Sequence, residues 1–388
     1  MDRFDVVIVG GAVMGSATAY WLLHYDPAIR VAVVDRDMTF ARSSTLLSDG
    51  NVRIQFNLPE NIAISQFAMD FLEGFSETMA VGEWHPDPSC RHQGNLFLVA
   101  PGGEDDARHG LEAQNRLGES VEWLSPEQIE AAYPPYAGTT YVAGTLGRRD
   151  GSVDPAAVLE GYRRKAASLG AEYIQGEVQA VLRDEQAVVG VEVGGDLLSA
   201  PVVVNAAGAW CADLAETAGV PLPVTPIMRS VFVLEADIDS ELLPSAFAPS
   251  GLYVLAEPGN TYLVSWSLPT DPVGYDFSVS RQHFDDAIWP ELVRNFPAFE
   301  AVRVLRGWAG LYANNVLDGN GIIGEWPELA GLYLANGFSG HGFQQCHAVG
   351  RHLAELILGR PPSLDLSKMS PARILANEPL YEHAGRLI

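Results

Sequence analysis

The apolar pattern at the start of the chain predicts a strand, a turn and a helix in direct succession. Four consecutive apolar residues, Val6 to Val9, are typical of a buried parallel strand. Glycines follow, and the next stretch predicts a helix from Met14 to His24. A second strand is predicted from Arg30 to Asp35. This order predicts a βαβ unit.

The same alternation returns in later parts of the chain. The predicted helices are Pro59 to about Met79, Pro155 to Leu169 capped by Asp154, and Phe343 to Leu358. The predicted strands are Glu172 to Ile174, Val178 to Arg183, Pro201 to Trp210 with small residues at its end, Ile322 to Gly324 and Leu332 to Gly337. One parallel sheet is therefore expected to be assembled from separated segments.

Two blocks leave this rhythm. The first contains a strand at Gly94 to Ala100, a helix at Asp105 to Leu117 and a short helix capped by Ser125. The second, from Pro226 to Trp308, alternates as an antiparallel sheet does. Both are assigned to a second domain that faces the substrate.

The predicted fold class is α/β with an α+β second domain. A Rossmann-like nucleotide-binding domain is expected from residues 1–85, 145–222 and 309–365. An antiparallel-sheet substrate domain is expected from residues 86–144 and 223–308. Residues 366–388 are predicted to form a Pro-containing tail on the surface.

The first turn carries the chemistry of a phosphate site. Its residues are Gly10, Gly11, Ala12, Val13, Met14 and Gly15. Such a turn directs backbone N–H groups and the positive end of a helix dipole at one point, which suits a pyrophosphate. Asp35, twenty positions after Gly15, is placed to accept hydrogen bonds from ribose hydroxyls. Ala12 stands at the position of the middle glycine in the dinucleotide-binding pattern G-x-G-x-x-G. The alternatives are a βαβ unit without a ligand and, for Asp35, a solvated acid.

Two further stretches fit a bound nucleotide. Ser43, Ser44 and Thr45 lie close after Asp35, and their hydroxyls suit a phosphate or a ring, although an exposed loop explains them too. A second glycine-containing turn, residues 337–343, leads into the last predicted helix.

Composition narrows the classes of function. The apolar share of 47% and the 388-residue length are those of an ordinary globular protein of two domains. The net charge of −25 argues against nucleic-acid and anionic-membrane partners. Three cysteines without C-x-x-C spacing predict free thiols, and His347 and His352 are five positions apart, so no metal site is expected. Without an 18-residue apolar run or a leader pattern, a cytoplasmic protein with no membrane span is expected.

Several motifs together resemble one family. They are Val7-Ile-Val-Gly-Gly-Ala-Val-Met-Gly-Ser16, Asp150-Gly-Ser-Val-Asp-Pro155, Val204-Asn-Ala-Ala-Gly-Ala-Trp210, Trp308-Ala-Gly-Leu-Tyr312 with Asp318, and Asn336-Gly-Phe-Ser-Gly-His-Gly-Phe343. In this order they resemble the D-amino-acid oxidase superfamily, which includes glycine oxidase, sarcosine oxidase and dimethylglycine dehydrogenase. The stretches Val52 to Asn61 and Gly340 to Gln345 are most similar to FAD-dependent oxidoreductase domain proteins and sarcosine-oxidase β-type subunits.

The resemblance implies FAD and oxidation of a C–N bond by hydride transfer, followed by hydrolysis of the imine. The cofactor-binding residues that it and the turn chemistry indicate are Gly10, Gly11, Ala12, Val13, Met14, Gly15, Asp35, Arg36, Ser43, Ser44, Thr45, Val178, Ala207, Gly208, Trp210, Gly310, Gly337, Phe338, Ser339, Gly340, His341, Gly342 and Phe343. The catalytic candidates are His341, Arg53, Tyr253, Tyr312 and Gln344. His341 either bonds the ring or substrate or caps the last helix.

Departures from the family pattern leave the substrate open. Tyr312 stands where glycine oxidases have an Arg that binds the substrate carboxylate, and Gln344 stands where monomeric sarcosine oxidases have a Lys. Phe56 stands where those sarcosine oxidases have an Arg. The remaining candidates to bind a carboxylate are Arg53, Arg229, Arg306 and the hydroxyls of Tyr253, Tyr262 and Tyr312. An amine without a carboxylate is a further alternative.

The electron acceptor is open as well. The oxygen-activating Lys of monomeric sarcosine oxidases has no counterpart between positions 166 and 367, so O2 and another acceptor both remain. The resemblance places the family's cysteinyl flavin link within residues 308–317 and its histidyl link within residues 43–52. Because these ranges contain no Cys and no His, respectively, the resemblance implies non-covalent FAD. The expected partner is a small amine or amino acid, with a homo-oligomer or a hetero-oligomer possible. The alternative functions are a flavoprotein subunit or assembly factor with little activity of its own, and an NAD-dependent dehydrogenase.

Overall fold

The computed structural model describes residues 3–241 and 243–382. The strands are β1 (Val6–Val9), β2 (Val31–Asp35), β3 (Asn51–Val52), β4 (Asn95–Val99), β5 (Val121–Leu124), β6 (Ala143–Gly147), β7 (Gly151–Ser152), β8 (Glu172–Gln175), β9 (Val178–Arg183), β10 (Val188–Val193), β11 (Asp196–Ser199), β12 (Val202–Asn205), β13 (Val224–Ala236), β14 (Ser245–Phe247), β15 (Tyr253–Glu257), β16 (Thr261–Ser265), β17 (Val302–Asn315), β18 (Ile322–Glu325) and β19 (Leu332–Asn336).

The helices connect these strands or pack on the sheets. They are α1 (Val13–Tyr25), α2 (Pro59–Glu73), α3 (Phe75–Thr78), α4 (Glu104–Arg116), α5 (Pro126–Ala132), α6 (Pro155–Leu169), α7 (Cys211–Glu216), α8 (Arg281–His283), α9 (Trp289–Asn295), α10 (Gly342–Ile357) and α11 (Ala372–Ala376). Within the described ranges, no helix is long and apolar enough to cross a membrane.

A six-stranded sheet with the order β18-β19-β12-β1-β2-β8 contains the first βαβ unit. Its strand β1 pairs in parallel with β2 on one side and β12 on the other. Both faces are covered, since Val6 and Ile8 pack in one apolar cluster with α1, α6 and α10, whereas Val7 and Val9 pack in a second cluster with β9, β10 and α7. This explains the uninterrupted apolar run of β1, because a strand buried on both faces has no solvent-facing position.

An eight-stranded sheet with the order β17-β13-β16-β15-β14-β4-β6-β5 joins the two blocks that leave the βαβ rhythm. Its pairs are antiparallel except β4 with β14. The fold class is confirmed: mixed α/β, with one largely parallel and one largely antiparallel sheet. The limits proposed at 144/145 and 308/309 fall inside β6 and β17, and the division of the chain into two domains stays a prediction.

Local capping signals predicted two helix starts correctly. The Ser125 side chain accepts a hydrogen bond from the Gln128 backbone N–H in a reciprocal capping box at α5. The Asp154 carboxylate accepts from the backbone N–H groups of Ala156 and Ala157 at α6. The long helix predicted after Pro59 is instead divided at Gly74 into α2 and α3.

Many residues of the predicted tail are exposed between 366 and 382, and the segment is anchored at two points; residues 383–388 lie outside the described ranges. The Arg373 guanidinium donates to both Asp318 carboxylate oxygens, at 3.0 and 3.2 Å. The Glu382 carboxylate accepts from the Asn57 backbone N–H at 2.7 Å and from the Asn61 side-chain amide at 2.7 Å. Charged side chains with buried partners therefore fix this segment to the sheet and to α2.

Replacing Arg373 is expected to destabilise the fold. The side chains of Arg373 and Asp318 are 6% and 0% exposed, so Arg373→Ala leaves a buried carboxylate without its cation. We expect the free energy of unfolding to fall by about 3–5 kcal/mol, measured by urea denaturation at saturating FAD. The control is Arg303→Ala, whose exposed ion pair with Glu235 is expected to contribute about 0–1 kcal/mol. Equal effects of the two variants would contradict this account.

Candidate active site

The turn between β1 and α1 has no room for side chains at two of its glycines. A Cβ on Gly10 would lie 2.3 Å from the Ala206 carbonyl oxygen, and a Cβ on Gly15 would lie 1.9 Å from the Gly10 carbonyl oxygen. Gly10 also has a φ of +101°, which favours glycine. Ala12, at the usual middle-glycine position, has a φ of −66° and lines the cavity beside the turn. The backbone therefore takes the compact shape of a phosphate cradle despite the extra methyl.

Asp35 closes this turn from the end of β2. One carboxylate oxygen accepts from the Gly11 backbone N–H at 2.8 Å, and the other accepts from the Asp37 backbone N–H at 2.9 Å. Burial raises the pKa of Asp35, while these two hydrogen bonds and the Arg36 charge oppose the rise. Each carboxylate oxygen has a second lone pair, so Asp35 is able to accept from a sugar hydroxyl as well.

A cavity of about 390 Å³ runs from this turn to the large antiparallel sheet. Of the predicted cofactor residues, it is lined by Gly10, Ala12, Val13, Met14, Asp35, Arg36, Ser43, Ser44, Thr45, Val178, Ala207, Gly208, Trp210, Gly310, Phe338, Ser339, Gly340, Gly342 and Phe343. Gly11, Gly15, Gly337 and His341 do not belong to the wall. The predicted segments thus meet around one elongated space, although they are far apart in sequence.

The hydroxyl-rich loop after Asp35 is bonded to both ends of the site. The Thr45 hydroxyl accepts from the Val13 backbone N–H at 3.3 Å, at the start of α1. The Ser44 hydroxyl donates to the Leu311 carbonyl oxygen in β17 at 2.7 Å. These contacts connect the loop to both ends of the site, although Ser44 is itself exposed, so the role of the loop in binding a cofactor stays a prediction.

The second glycine-containing turn brings another helix N-terminus to the cavity. Gly340 has a φ of +102°, and a Cβ there would lie 2.6 Å from the Tyr312 ring. Helix α10 then begins at Gly342 and packs closely on α1, since a Cβ on Gly350 would lie 2.8 Å from the backbone of Ala17. The positive ends of two helix dipoles therefore point at the same space.

An aromatic stack covers the end of the cavity next to Asp35. The Arg36 guanidinium lies 3.9 Å from the centroid of the Trp210 ring. Tyr275, from the loop after β16, stacks parallel to Trp210 at 5.3 Å, and its hydroxyl donates to Asp213 at 2.5 Å. Trp210 was predicted and Tyr275 was not, because its loop carries no local motif.

At the opposite end, side chains from the large sheet face the cavity. In the antiparallel pairing of β13 with β17, Arg229 lies opposite Gly310, two pairs along from Ile227 opposite Tyr312. The Arg229 guanidinium lies 5.3 Å from the Tyr312 ring and forms an ion pair with Asp271. Arg229, Tyr253 and Tyr312 all line the cavity.

Asp49 was missed in the sequence. Its carboxylate accepts from the Tyr253 hydroxyl at 2.6 Å and lies in the cavity wall. Ser48-Asp49-Gly50 looks like an ordinary turn, and only the tertiary structure places it beside β15. Burial raises the pKa of Asp49, and the hydrogen bond from Tyr253 partly offsets that rise.

Three predicted catalytic residues lie behind the cavity wall. The Arg53 guanidinium donates to His341 Nε2 at 3.1 Å, and burial together with the Arg53 charge lowers the pKa of His341 to about 3, so the imidazole is neutral. His341 does not cap α10 with its side chain. The Gln344 amide binds the Arg53 backbone, accepting from its N–H at 2.8 Å and donating to its carbonyl at 3.0 Å. Their catalytic roles stay predictions.

Two candidates to bind a carboxylate lie elsewhere. The Tyr262 hydroxyl donates to the Ile238 carbonyl oxygen at 3.0 Å, within the core of the large sheet. Arg306 is exposed and borders a second cavity of about 750 Å³. Neither belongs to the wall of the first cavity.

The residues present fit a flavin dinucleotide. The glycine cradle and the two helix N-termini suit the pyrophosphate, and Asp35, Arg36 and Trp210 surround the space beyond the end of β2, which suits an adenosine. The remaining length of the cavity reaches the face of β13 and β17, where residues such as Arg229, Val231 and Gly310 would surround the flavin ring. The fold and site define a dinucleotide-dependent oxidoreductase.

Comparison with known proteins specifies the family. Residues 5–356 match the family described as DAO, FAD dependent oxidoreductase, and the chain belongs to this family. It is an FAD-dependent oxidoreductase, related to sarcosine and glycine oxidases.

Individual relatives cover nearly the whole chain. FAD-dependent oxidoreductase domain-containing protein 1 of Bos taurus is 37% identical over 98% of this chain and 87% of its own. Sarcosine oxidase subunit beta of Rhizobium meliloti (strain 1021) is 28% identical over 93% of this chain and 86% of its own. The crystal structure of L-proline dehydrogenase from P. horikoshii superposes with a TM-score of 0.86 at 24% identity, covering 98% of this chain and all of that one, which shows a shared fold.

A methyl group at Gly15 is expected to damage the cradle. Gly15→Ala forces the first turn of α1 away from Gly10, and we expect FAD affinity to fall by about 10-fold or more, measured by flavin fluorescence titration of the apoprotein. The control is Gly74→Ala, where φ is −105° and the nearest atom to the new Cβ is 3.9 Å away. Unchanged affinity in Gly15→Ala would show that the turn does not carry the dinucleotide.

FAD is expected to be released by acid. Across residues 3–241 and 243–382, the cavity wall contains no Cys or His side chain, which are the groups that form the covalent flavin links of this family. Precipitation with trichloroacetic acid should leave the yellow flavin in the supernatant. A yellow pellet would instead establish a covalent link.

Proposed function

We propose that this protein oxidises the C–N bond of a secondary or N-substituted amino acid, of the sarcosine-like, cyclic or D-amino-acid type. The observation that carries the proposal is the position of Arg229, a largely buried cation in the cavity wall beside Gly310 and Tyr312. Its Nε atom is buried and has no hydrogen-bond partner among residues 3–241 and 243–382.

Arg229 suits a substrate carboxylate. The side chain is 15% exposed, and one of its terminal nitrogens already bonds Asp271, which fixes the guanidinium. A carboxylate in the cavity that accepts from the accessible N–H groups of this guanidinium gains charge-assisted hydrogen bonds, which are strong in a shielded site. Arg229 would thus take the place of the Arg and the Lys that related oxidases have at the positions of Tyr312 and Gln344.

The two cavity tyrosines act as neutral hydroxyls. Burial raises the pKa of Tyr312 to about 12 and the pKa of Tyr253 well above its usual value, with the nearby Asp49 charge as the second cause in both. Both phenols therefore stay protonated at neutral pH. They are suited to orient a polar substrate by hydrogen bonds but not to remove a proton from it.

The chain also has to keep water from the reacting carbon. Apolar side chains such as Leu47, Val231 and Phe338 make up much of the wall near the sheet. A dry wall strengthens the interaction of Arg229 with a carboxylate. When bound, FAD supplies the two-electron acceptor for the hydride, and the imine product hydrolyses in water.

The names of related proteins support a secondary amine. Sarcosine and proline both carry a secondary amine next to a carboxylate, and the relatives named for them are a sarcosine oxidase subunit and a proline dehydrogenase. The word "subunit" also supports the alternative, a flavoprotein that works mainly within a larger assembly. O2 or another acceptor then removes the electrons.

An anaerobic titration of the holoprotein tests this proposal. The panel contains sarcosine, L-proline, other N-methyl and cyclic amino acids, D-amino acids, and dimethylamine and pyrrolidine as amines without a carboxylate. We expect a secondary amino acid to bleach the flavin, with its carboxylate-free counterpart slower by about 10-fold or more. Arg229→Gln should lower kcat/KM by about 10- to 100-fold, whereas Arg306→Gln should change it by less than about 2-fold.

Each result has a clear meaning. If dithionite reduces the flavin but no panel member does, the amino-acid proposal fails and the subunit alternative gains support. Admission of air then separates an oxidase from a dehydrogenase by the speed at which colour returns. Equal rates for sarcosine and dimethylamine, with an indifferent Arg229→Gln variant, would reject Arg229 as the carboxylate-binding residue.

A further inference from the structure

Asp49 has a defined place at the substrate end of the cavity. Gly50 fixes the loop against Val153, since a Cβ on Gly50 would lie 2.2 Å from the Val153 carbonyl oxygen. The Trp308 indole N–H donates to the Leu47 carbonyl oxygen at 3.0 Å, which ties the same loop to β17. The loop that carries Asp49 is thus held by contacts on both sides, to Val153 and to β17.

The Asp49 carboxylate has two protein donors. Oδ2 accepts from the Tyr253 hydroxyl at 2.6 Å and Oδ1 accepts from the Asn51 backbone N–H at 3.1 Å. Each oxygen keeps a lone pair for a further donor. A carboxylate that lines a ligand cavity in this way is suited to accept from a charged N–H group.

A substrate amine has to lose a proton before it is oxidised. Amino acids carry a protonated amine at neutral pH, whereas hydride transfer from the α-carbon needs the nitrogen lone pair to form the new C=N bond. In this chain the other polar groups at that end do not suit the task. Arg229 is a cation, Tyr253 and Tyr312 stay protonated, and His341 lies behind the wall.

We propose that Asp49 accepts the proton of the substrate ammonium group and so produces the neutral amine that is oxidised. The N–H bond breaks, its electron pair stays on nitrogen, and an O–H bond forms on the carboxylate, with no change in oxidation state. The neutral amine is the form from which bound FAD would accept the hydride, and water would hydrolyse the resulting iminium. This inference rests on the proposed function. Arg229 binds the carboxylate of the zwitterionic substrate, and Asp49 binds its ammonium group.

The charged groups around Asp49 shift its pKa, and with it the pH above which the carboxylate is able to accept a proton. Arg53, from the same segment, lowers the pKa of Asp49, while burial raises it more strongly. Glu257, at the end of β15, adds a like charge whose own pKa is raised by burial and by Asp49. Tyr253 and Tyr312 face it as neutral phenols. Ionised Asp49 is the active form, so kcat/KM should rise with pH through its pKa and level off below the pKa of the amine.

The experiment follows anaerobic flavin reduction by stopped flow in the holoprotein, between about pH 5 and pH 10, with sarcosine, L-proline and the other panel amino acids. Asp49→Asn should lower kcat/KM near pH 7 by about 100-fold or more, and its rate should rise with pH through the pKa of the free amine. Tyr253→Phe removes a hydrogen bond to ionised Asp49, so the acid limb should move to higher pH.

Two controls separate chemistry from structure. Glu257→Gln removes a neighbouring half-buried carboxylate and should keep the acid limb, displaced slightly to lower pH because a like charge is lost. Tetrahydrofuran-2-carboxylate, a proline analogue without an N–H group, should still perturb the flavin absorbance of Asp49→Asn with little loss of affinity.

The outcomes distinguish the two proposals. If no panel amino acid reduces wild-type flavin, the proposed function fails and the role of Asp49 falls with it. If wild type is reduced and Asp49→Asn keeps its rate and its pH profile, Asp49 is not the proton acceptor. Should Asp49→Asn fail to bind FAD, the displaced acid limb of Tyr253→Phe decides, and an unmoved limb would overturn the inference.

Discussion

The structure depends on backbone approaches that leave no space for a Cβ atom. At Gly10 and Gly15 they compress the turn between β1 and α1, and at Gly350 they bring α10 against the backbone of Ala17. The two helices start from turns at opposite ends of the sequence, yet both N-termini reach one cavity. An acidic chain, with a net charge of −25, thereby creates a local positive potential for a dinucleotide without placing lysines there.

At the other end of the cavity, the residues are positioned by the pairing of two long antiparallel strands, β13 and β17. Pairing of Arg229 with Gly310 places a cation opposite a residue without a side chain, which leaves space above the sheet. A Cβ on Gly310 would lie 3.0 Å from Leu47 Cβ, so the same glycine lets the Leu47 loop approach. That loop carries Asp49. One register in the sheet therefore determines where both a cation and a carboxylate reach the cavity.

Sequence reasoning succeeded where the signal was local. The apolar run of β1, the glycines after it, Asp35 and the caps Ser125 and Asp154 each interact within one turn or one βαβ unit, and their neighbours in sequence define their environment. The tail residues Arg373 and Glu382 bind partners more than 50 positions away, as their bonds to Asp318 and Asn57 show. Tyr275 and Asp49 belong to this class too, since only tertiary contacts give them a site. The hairpin of β10 and β11 was missed although Gly194-Gly195 is a hairpin signal.

The charges in the cavity also limit which molecules fit its substrate end. Arg229 already shares its charge with Asp271, and Asp49 lies nearby with Arg53 behind the wall. An anion alone would bring a second negative charge next to Asp49, and a cation alone would bring a second positive charge next to Arg229. The proposed zwitterionic amino acid would interact with both groups and would add no net charge to a buried site. Because a zwitterion has no net charge, the strongly acidic surface neither repels it nor attracts it at long range, so the selection rests on the two groups in the cavity.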